Sequence, residues 1–175
     1  MPTPRADAAA ARPAECAWAD IEHGSVIRLS FVAAESPLYL AWDHAKKLMV
    51  TTRDREHPYA KFSLVRHSAS MVSLAVDTLA QYQGDHGATH LDPHTGPFVS
   101  PKNDGSAADA DEKTWCCRPK VGSWEQLLLE DRGNGQVVIS TNDASTELYG
   151  LQKEYMSPRN LEDGQPVIRR SVARK

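Results

Sequence analysis

Apolar residues in this chain of 175 residues occur in short alternating bursts and not in helical stripes. Each burst spans about five or six residues, is rich in Val, Ile, Leu and Tyr, and ends at Gly, Pro, Asn, Asp or Ser. The predicted strands are VIRLSFV (26–32), LYLAW (38–42), KLMVTT (47–52), KFSLV (61–65), MVSLAV (71–76), GPFVS (96–100), EQLLLE (125–130), QVVIST (136–141), ELYGL (147–151) and PVIRRSV (166–172). No ten-residue amphipathic helix is evident, so the pattern predicts an all-β barrel or sandwich.

Two stretches lack any periodicity. Residues 83–96 and 101–113 are polar and rich in Gly, Pro and Asp, and we expect them to be long surface loops.

The strand pattern repeats three times along the chain. Alternating strands open the units at 26–29, 72–75 and 137–140, and short aromatic-centred strands follow at 38–40, 98–100 and 148–150. The first unit closes with HPYAKFSLV and the second with GSWEQLLLE, whereas the third closes weakly through Val167, Ile168 and Val172. Three units of about four strands each predict a β-trefoil, a six-stranded barrel capped by three hairpins. We expect a flexible tail over 1–20 and one domain over 21–175, with repeats at about 25–66, 70–131 and 135–173.

An aromatic residue precedes each strong closing strand by three positions. Tyr59 precedes Phe62, and Trp124 precedes Leu127. This spacing predicts that Trp124 is a core residue beneath the barrel, and that its substitution would destabilise the fold.

The same region carries a resemblance to a known family. Its residues are Trp124, Glu125, Leu127 and Leu129, followed by Val137, Ile139, Thr141, Leu148 and Tyr149. The pattern resembles the fascin-like, actin-crosslinking β-trefoil superfamily over residues 25 to about 172, most closely over 122–151. The resemblance implies a β-trefoil and an actin partner, and it carries no filament-contacting residue over to this chain.

Composition restricts the class of partner. An apolar content of 41%, a charged content of 25% and a net charge of −3 are typical of a globular protein and argue against a nucleic-acid partner. No apolar run approaches the roughly 20 residues that a membrane-spanning helix needs. The first 16 residues contain no apolar signal region, and three cysteines (Cys16, Cys116 and Cys117) do not form a disulfide framework. These observations favour the cytoplasm.

Two groups of side chains could carry metal chemistry. His86, His90 and His94, with Asp85 and Asp92, have the spacing of a helical zinc site, but the glycines and the proline among them favour a solvated loop. Cys116 and Cys117 could bind metal, although adjacent cysteines on a strand more often alternate between core and surface. We therefore expect no metal site, no other cofactor and no catalytic residues.

Basic residues offer a candidate surface for an acidic partner. They are Lys46, Lys47, Arg53, Arg55, Arg169, Arg170, Arg174 and Lys175.

Together these features predict a non-catalytic binding module of the cytoskeleton, attached to actin or to a microtubule-based assembly. A carbohydrate-binding trefoil is the alternative, although the Gln-x-Trp motif of ricin-type lectins does not occur in the sequence. A protease inhibitor using an exposed loop within 83–113 is the third candidate.

Overall fold

Eleven β-strands, one α-helix and a 3₁₀ turn make up the described part of the chain. The computed structural model describes residues 18–32, 34–86, 96–101, 114–141 and 154–171. The 3₁₀ turn is Trp18–Asp20, the helix is α1 (Asp77–His86), and the strands are β1 (Val26–Ile27), β2 (Tyr39–Asp43), β3 (Leu48–Thr52), β4 (Phe62–Arg66), β5 (Met71–Val76), β6 (Phe98–Ser100), β7 (Cys116–Arg118), β8 (Leu127–Gly133), β9 (Gln136–Ser140), β10 (Glu154–Pro158) and β11 (Val167–Ser171).

The strands form two antiparallel sheets. The larger sheet has the order β1-β4-β5-β8-β9-β10-β11, with β6 bonded to β5 and β7, and the smaller sheet is the β2–β3 hairpin. Burial alternates along β4 and β8, where Phe62, Leu64, Leu127 and Leu129 point into the core. Alternation of this kind is what a barrel strand with one buried face requires.

A recurring strand contact reveals three equivalent units. In each unit the opening strand region meets the next strand at one residue pair: Ser30 with Tyr39, Ala75 with Phe98, and Ser140 with Tyr155. One main-chain hydrogen bond follows each pair, from Phe31 N to Leu38 O (2.8 Å), from Val76 N to Pro97 O (2.6 Å) and from Thr141 N to Glu154 O (2.9 Å). The segments containing β1, β5 and β9 therefore occupy equivalent places, and β2, β6 and β10 follow them.

The third strands of the units meet at the base of the barrel. Met49 N donates to Trp115 O (2.9 Å), and Trp115 N donates to Val167 O (3.0 Å). These bonds place β11 in the same position as β3 and β7. The prediction that residues 166–172 close the third unit was therefore wrong, because they form the outer strand of its hairpin.

The third unit also differs from the prediction in its second strand. Tyr155 takes the place expected for Tyr149, and the predicted strand 147–151 lies outside the described residues. Strand β10 was not predicted, and β7 was expected only as the strand that carries Cys116 and Cys117. The predicted strand 26–32 is regular only at Val26 and Ile27, with an isolated bridge at Ser30.

Helix α1 was not predicted either, and the expected loop 83–96 begins inside it. Asp77 holds the first turn: its carboxylate accepts bonds from Ser63 Oγ (2.8 Å) and Gln81 Nε2 (3.1 Å). Leu79 packs into the core. The helix is thus fixed by side-chain hydrogen bonds to Asp77 and by the packing of Leu79, and its sequence lacks the apolar stripe by which helices are usually recognised.

Two predictions about burial were wrong. Trp124 lies in the turn before β8 and is only partly buried, whereas Trp42 and Trp115 are completely buried. Cys116 and Cys117 do not alternate between core and surface, since both belong to the core. Cys117 contacts Met49, 68 positions earlier, so burial on β7 depends on tertiary contacts that the local sequence does not show.

Candidate functional site

A groove of about 290 Å³ lies between the first and third units. Its walls are residues 29–32, the β9 strand and the start of β10. The apolar side chains that form most of the lining include Leu29, Phe31, Val32, Val137, Ile139 and Met156. Val32 is 69% exposed, a high value for a valine, because nothing described covers this side of the groove.

The groove occupies the place of a closing strand. Strand β4 lies between β1 and β5, and β8 lies between β5 and β9. Three-fold equivalence therefore assigns a further closing strand to the space between β9 and β1. Among residues 18–171, as far as they are described, no strand fills that space, and the groove is what remains.

The main chain beside the groove has an unused pairing edge. Ala75 pairs with Ser63 of β4, and Ser140 pairs with Leu128 of β8. Ser30 is the equivalent residue of the first unit, and its bridge to Tyr39 is flanked by bonds made by Leu29 and Phe31. In an antiparallel pair of this kind, the N–H and C=O of the central residue point away from the partner strand. Those groups of Ser30 face the groove, without a partner strand among the described residues.

The opposite wall has a second such edge. On one side β9 is bonded to β8 along its whole length, but its described contact on the other side is the single bridge from Ser140 to Tyr155. Residues 136–139 therefore also present a strand edge to the groove.

Trp18 makes a hydrogen bond at the start of β9. Its indole Nε1 donates to Gly135 O (2.9 Å). Gly135 directly precedes β9, as Ser25 and Ser70 directly precede β1 and β5. Those two carbonyls accept bonds from the closing strands, from Leu64 N (2.9 Å) and Leu129 N (2.7 Å) respectively. The tryptophan side chain thus makes the bond that a closing strand makes in the other two units.

The rim of the groove is polar. Gln136 and Arg132 line it, and Arg132 forms an ion pair with Glu130 at 3.4 Å, with about half of each side chain exposed. Exposed ion pairs of this kind contribute roughly 0–1 kcal/mol and can rearrange. An apolar floor inside a polar rim is the usual composition of a site for a protein segment.

The predicted basic residues are distributed over separate places. Lys46 and Lys47 lie at the turn of the β2–β3 hairpin, whereas Arg53 and Arg55 follow its other end. Five-residue strands separate these ends by roughly 13 Å. Arg174 and Lys175 lie outside the described residues.

Three of the predicted arginines hold parts of the fold together. Arg53 donates to Leu161 O (3.2 Å) and to Ser36 Oγ, and Arg170 donates to Arg159 O (3.2 Å). Both guanidinium groups thereby hold the connection between β10 and β11. Arg169 pairs with Glu154 at 3.4 Å, with 13% and 14% of these side chains exposed.

The predicted histidine cluster is described only in part. His86 ends helix α1, and His90 and His94 lie outside the described residues. Within the ranges that the structure describes, no three His, Cys, Asp or Glu side chains are arranged to hold a metal ion.

One Ser–His contact resembles the nucleophile and base of hydrolases. His67 Nε2 lies 2.8 Å from Ser73 Oγ. However, Ser73 is completely buried and donates its single hydroxyl hydrogen to Glu125 O at 2.7 Å. His67 Nε2 must therefore be the donor in its own contact, which is the reverse of what activation of a serine requires. This pair is a structural link between β5 and the turn before β8.

Cys116 and Cys117 pack in the hydrophobic core. Cys117 Sγ lies 3.5 Å from Met49 Sδ in the core. Burial raises the pKa of the Cys117 thiol well above its ordinary value, and the neighbouring Cys116 raises it further. A thiol that stays protonated at neutral pH is a poor nucleophile and a poor metal ligand.

Comparison with known structures agrees with the three-unit arrangement. The chain is similar to a designed three-fold symmetric protein, ThreeFoil, with a TM-score of 0.55 and 16% identity, over 85% of this chain and 90% of that one. The fold is a β-trefoil. The all-β trefoil predicted from the sequence is thereby confirmed, and the likeness extends to the fold alone.

The sequence comparisons give no family. No family model matches the chain, and no curated protein is detectably similar to it. The fascin-like resemblance receives no support from the comparisons. No described helix is long and apolar enough to cross a bilayer.

The groove was missed because the third unit was aligned one strand too far along. A signal was present in the sequence: an aromatic residue lies three positions before the first apolar residue of β4 and β8, whereas Gly164 lies three positions before Val167. That difference indicates that 166–172 is not a closing strand.

Proposed function

We propose that this protein is a non-catalytic binding module whose binding surface is the groove between β9 and residues 29–32. Its partner is a protein assembly, in the first place a cytoskeletal filament or a filament-associated protein. The observation that carries the proposal is the groove, which combines an apolar lining with two main-chain edges that have no partner strand among the described residues.

A protein partner fits these features better than a small polar solute. Most of the lining is hydrocarbon, so the favourable free energy would come from removing apolar side chains such as Val32 and Met156 from water. The strand edges would add hydrogen bonds to an extended main chain. A sugar would offer few apolar groups to such a lining.

The filament part of the proposal rests on the sequence. The pattern over 122–151 resembles fascin-like trefoils, the few cysteines fit a reducing compartment, and exposed cations are available at Lys46 and Arg55. Such cations would guide the approach to an acidic filament, and the groove would hold the attached protein.

Co-sedimentation with purified actin filaments and with microtubules tests this function. We expect the protein to pellet with one of the polymers and Val32→Asp to pellet several-fold less. Val26→Asp is the matched control, since Val26 is also exposed, at 54%, but does not line the groove. Both variants should retain the wild-type circular dichroism spectrum.

The salt dependence of binding distinguishes the groove from the basic residues as the binding surface. Between about 50 and 300 mM salt, apolar contacts persist, whereas attraction through exposed cations weakens strongly. If the double variant Lys46→Glu/Lys47→Glu loses binding and Val32→Asp keeps it, the binding surface is formed by the basic residues and not by the groove. Failure to pellet with either polymer would overturn the filament assignment.

A further inference from the structure

We infer that the groove accepts one β-strand from a partner protein, a segment with the pattern aromatic-x-x-ϕ-x-ϕ in which ϕ is a bulky apolar residue. This inference rests on the proposed function only in taking the ligand to be a protein. The strand would complete the barrel in trans and occupy the position that β4 and β8 occupy in the first two units.

The register of the existing closing strands defines how this strand would lie. Phe62 of β4 is opposite Ile27 on one side and Val76 on the other. The equivalents of Ile27 and Val76 at the groove are Val137 and Phe31. The first ϕ side chain of the incoming segment would therefore enter between Val137 and Phe31, both of which line the groove.

The second ϕ position follows from the same register. Leu64 is opposite Leu74 of β5, and the equivalent of Leu74 in the first unit is Leu29, a groove residue. The residue between the two ϕ positions corresponds to Ser63, which is only partly buried. Its main chain would pair with Ser30, and its side chain can be polar.

The incoming strand would also replace the bond made by Trp18. Leu64 N donates to Ser25 O in the first unit, so the second ϕ residue would donate to Gly135 O. Trp18 Nε1 holds that carbonyl in the unliganded chain. Displacement of the indole is therefore coupled to strand binding, which provides a spectroscopic signal.

A separate protein is a better source of the strand than a second copy of this chain. The segments of this chain that carry the pattern are 59–64 and 124–129, and their ϕ residues are already buried in their own units. A second copy would have to unfold a unit to donate either segment. Residues 1–17 contain alanine and no bulky apolar side chain beyond Met1, so they do not offer the pattern.

A peptide titration tests the inference with no filament present. The probe is a fluorescently labelled peptide with the sequence of residues 57–67, HPYAKFSLVRH, added to the full chain. We expect saturable one-to-one binding, a change in Trp18 emission and a higher melting temperature, because a ligand of the folded state stabilises it. A control peptide with Asp in place of Phe62 and Leu64 should not bind.

Two protein variants locate the peptide. Val32→Asp should weaken binding by at least about ten-fold, and Val26→Asp should leave it unchanged. Equal affinity in both variants would overturn the inference. It would also be overturned if no binding is seen at a peptide concentration about 100-fold above a micromolar dissociation constant. Hydrogen-exchange protection of the Val137 amide in the free full chain would also overturn it. That amide points away from β8, so its protection would mean that a segment of the same chain fills the groove. Peptide binding without filament pelleting would leave the strand site intact and refute the filament assignment alone.

Discussion

Ser100 donates a hydrogen bond of 2.6 Å to the carboxylate of Glu125 inside the second unit. The other carboxylate oxygen accepts from Gly122 N at 3.0 Å, and Glu125 is only 5% exposed. The equivalent position of the first unit is Ala60, which is completely buried. One unit thus fills this place with a methyl group and the next with a hydrogen-bonded acid.

A double-mutant cycle should detect this pair. We expect Glu125→Ala to lower the free energy of unfolding by about 1–3 kcal/mol, because the Ser100 hydroxyl loses its acceptor in a buried place. Ser100→Ala should cost a similar amount, and the double variant should cost less than the sum of the two. Urea denaturation measures all four proteins. Strict additivity would contradict a direct contact.

The tryptophans should differ in their contribution to stability. We expect Trp115→Ala to cost about 3–5 kcal/mol, because the side chain is completely buried where the three units meet. Trp124→Ala should cost less than half of that, since this side chain is only partly buried. Guanidinium denaturation of the two variants gives the comparison, and a larger loss for Trp124 would restore the prediction made from its sequence position.

The sequence was sufficient for the fold class because barrel strands show alternation directly. Phe62 and Leu64, and likewise Leu127 and Leu129, have the two-residue spacing that burial of one face requires. Burial of Cys116 and Cys117 was not predictable, because it depends on tertiary contacts such as that of Cys117 with Met49, 68 positions earlier. Nor was α1, whose first turn depends on Ser63, fourteen residues earlier.

The candidate site was not predictable from local patterns. Its walls come together only when the first and third units meet, and Ser30 and Gln136 are remote in sequence. The predicted basic residues were misjudged for a different reason, which is that a positive side chain can bond to the main chain of a remote segment. Arg53 was predicted to be a surface charge, but it donates to the carbonyl of Leu161, a residue 108 positions later that the sequence does not place beside it.

Stability should fall as pH rises above about 9 because of Cys117. The pKa of its thiol is raised in the folded protein, so the unfolded protein loses this proton first as pH rises past the ordinary value of 9.0. The stabilisation is therefore complete below that value and is lost as pH rises towards the folded pKa, with a slope of at most about 1.4 kcal/mol per pH unit. Urea denaturation from pH 7 to 10 should show a steeper decline for wild type than for Cys117→Ala. Parallel curves would contradict the raised pKa.

Trp18→Phe should change the stability of the fold and the affinity for the peptide in opposite directions. Loss of the bond to Gly135 should lower the free energy of unfolding by about 0.5–1.5 kcal/mol. The same change leaves the Gly135 carbonyl available, so the affinity for the 57–67 peptide should rise several-fold. Fluorescence polarisation with the labelled peptide measures the second effect. A fall in affinity would mean that the indole forms part of the binding surface and does not compete with the strand.

The order of strand pairing also affects how the chain reaches its fold. Here β1 pairs with β4 and β4 with β5, so the strand contacts of the first unit lie close together along the chain. The bonds that join this unit to the third, from Trp18 Nε1 to Gly135 O and from Thr51 N to Gln165 O, connect residues more than 100 positions apart. Because closing such long loops costs more entropy, these bonds form late. Vectorial growth would therefore let the first unit collapse onto β5 while the third is still being synthesised.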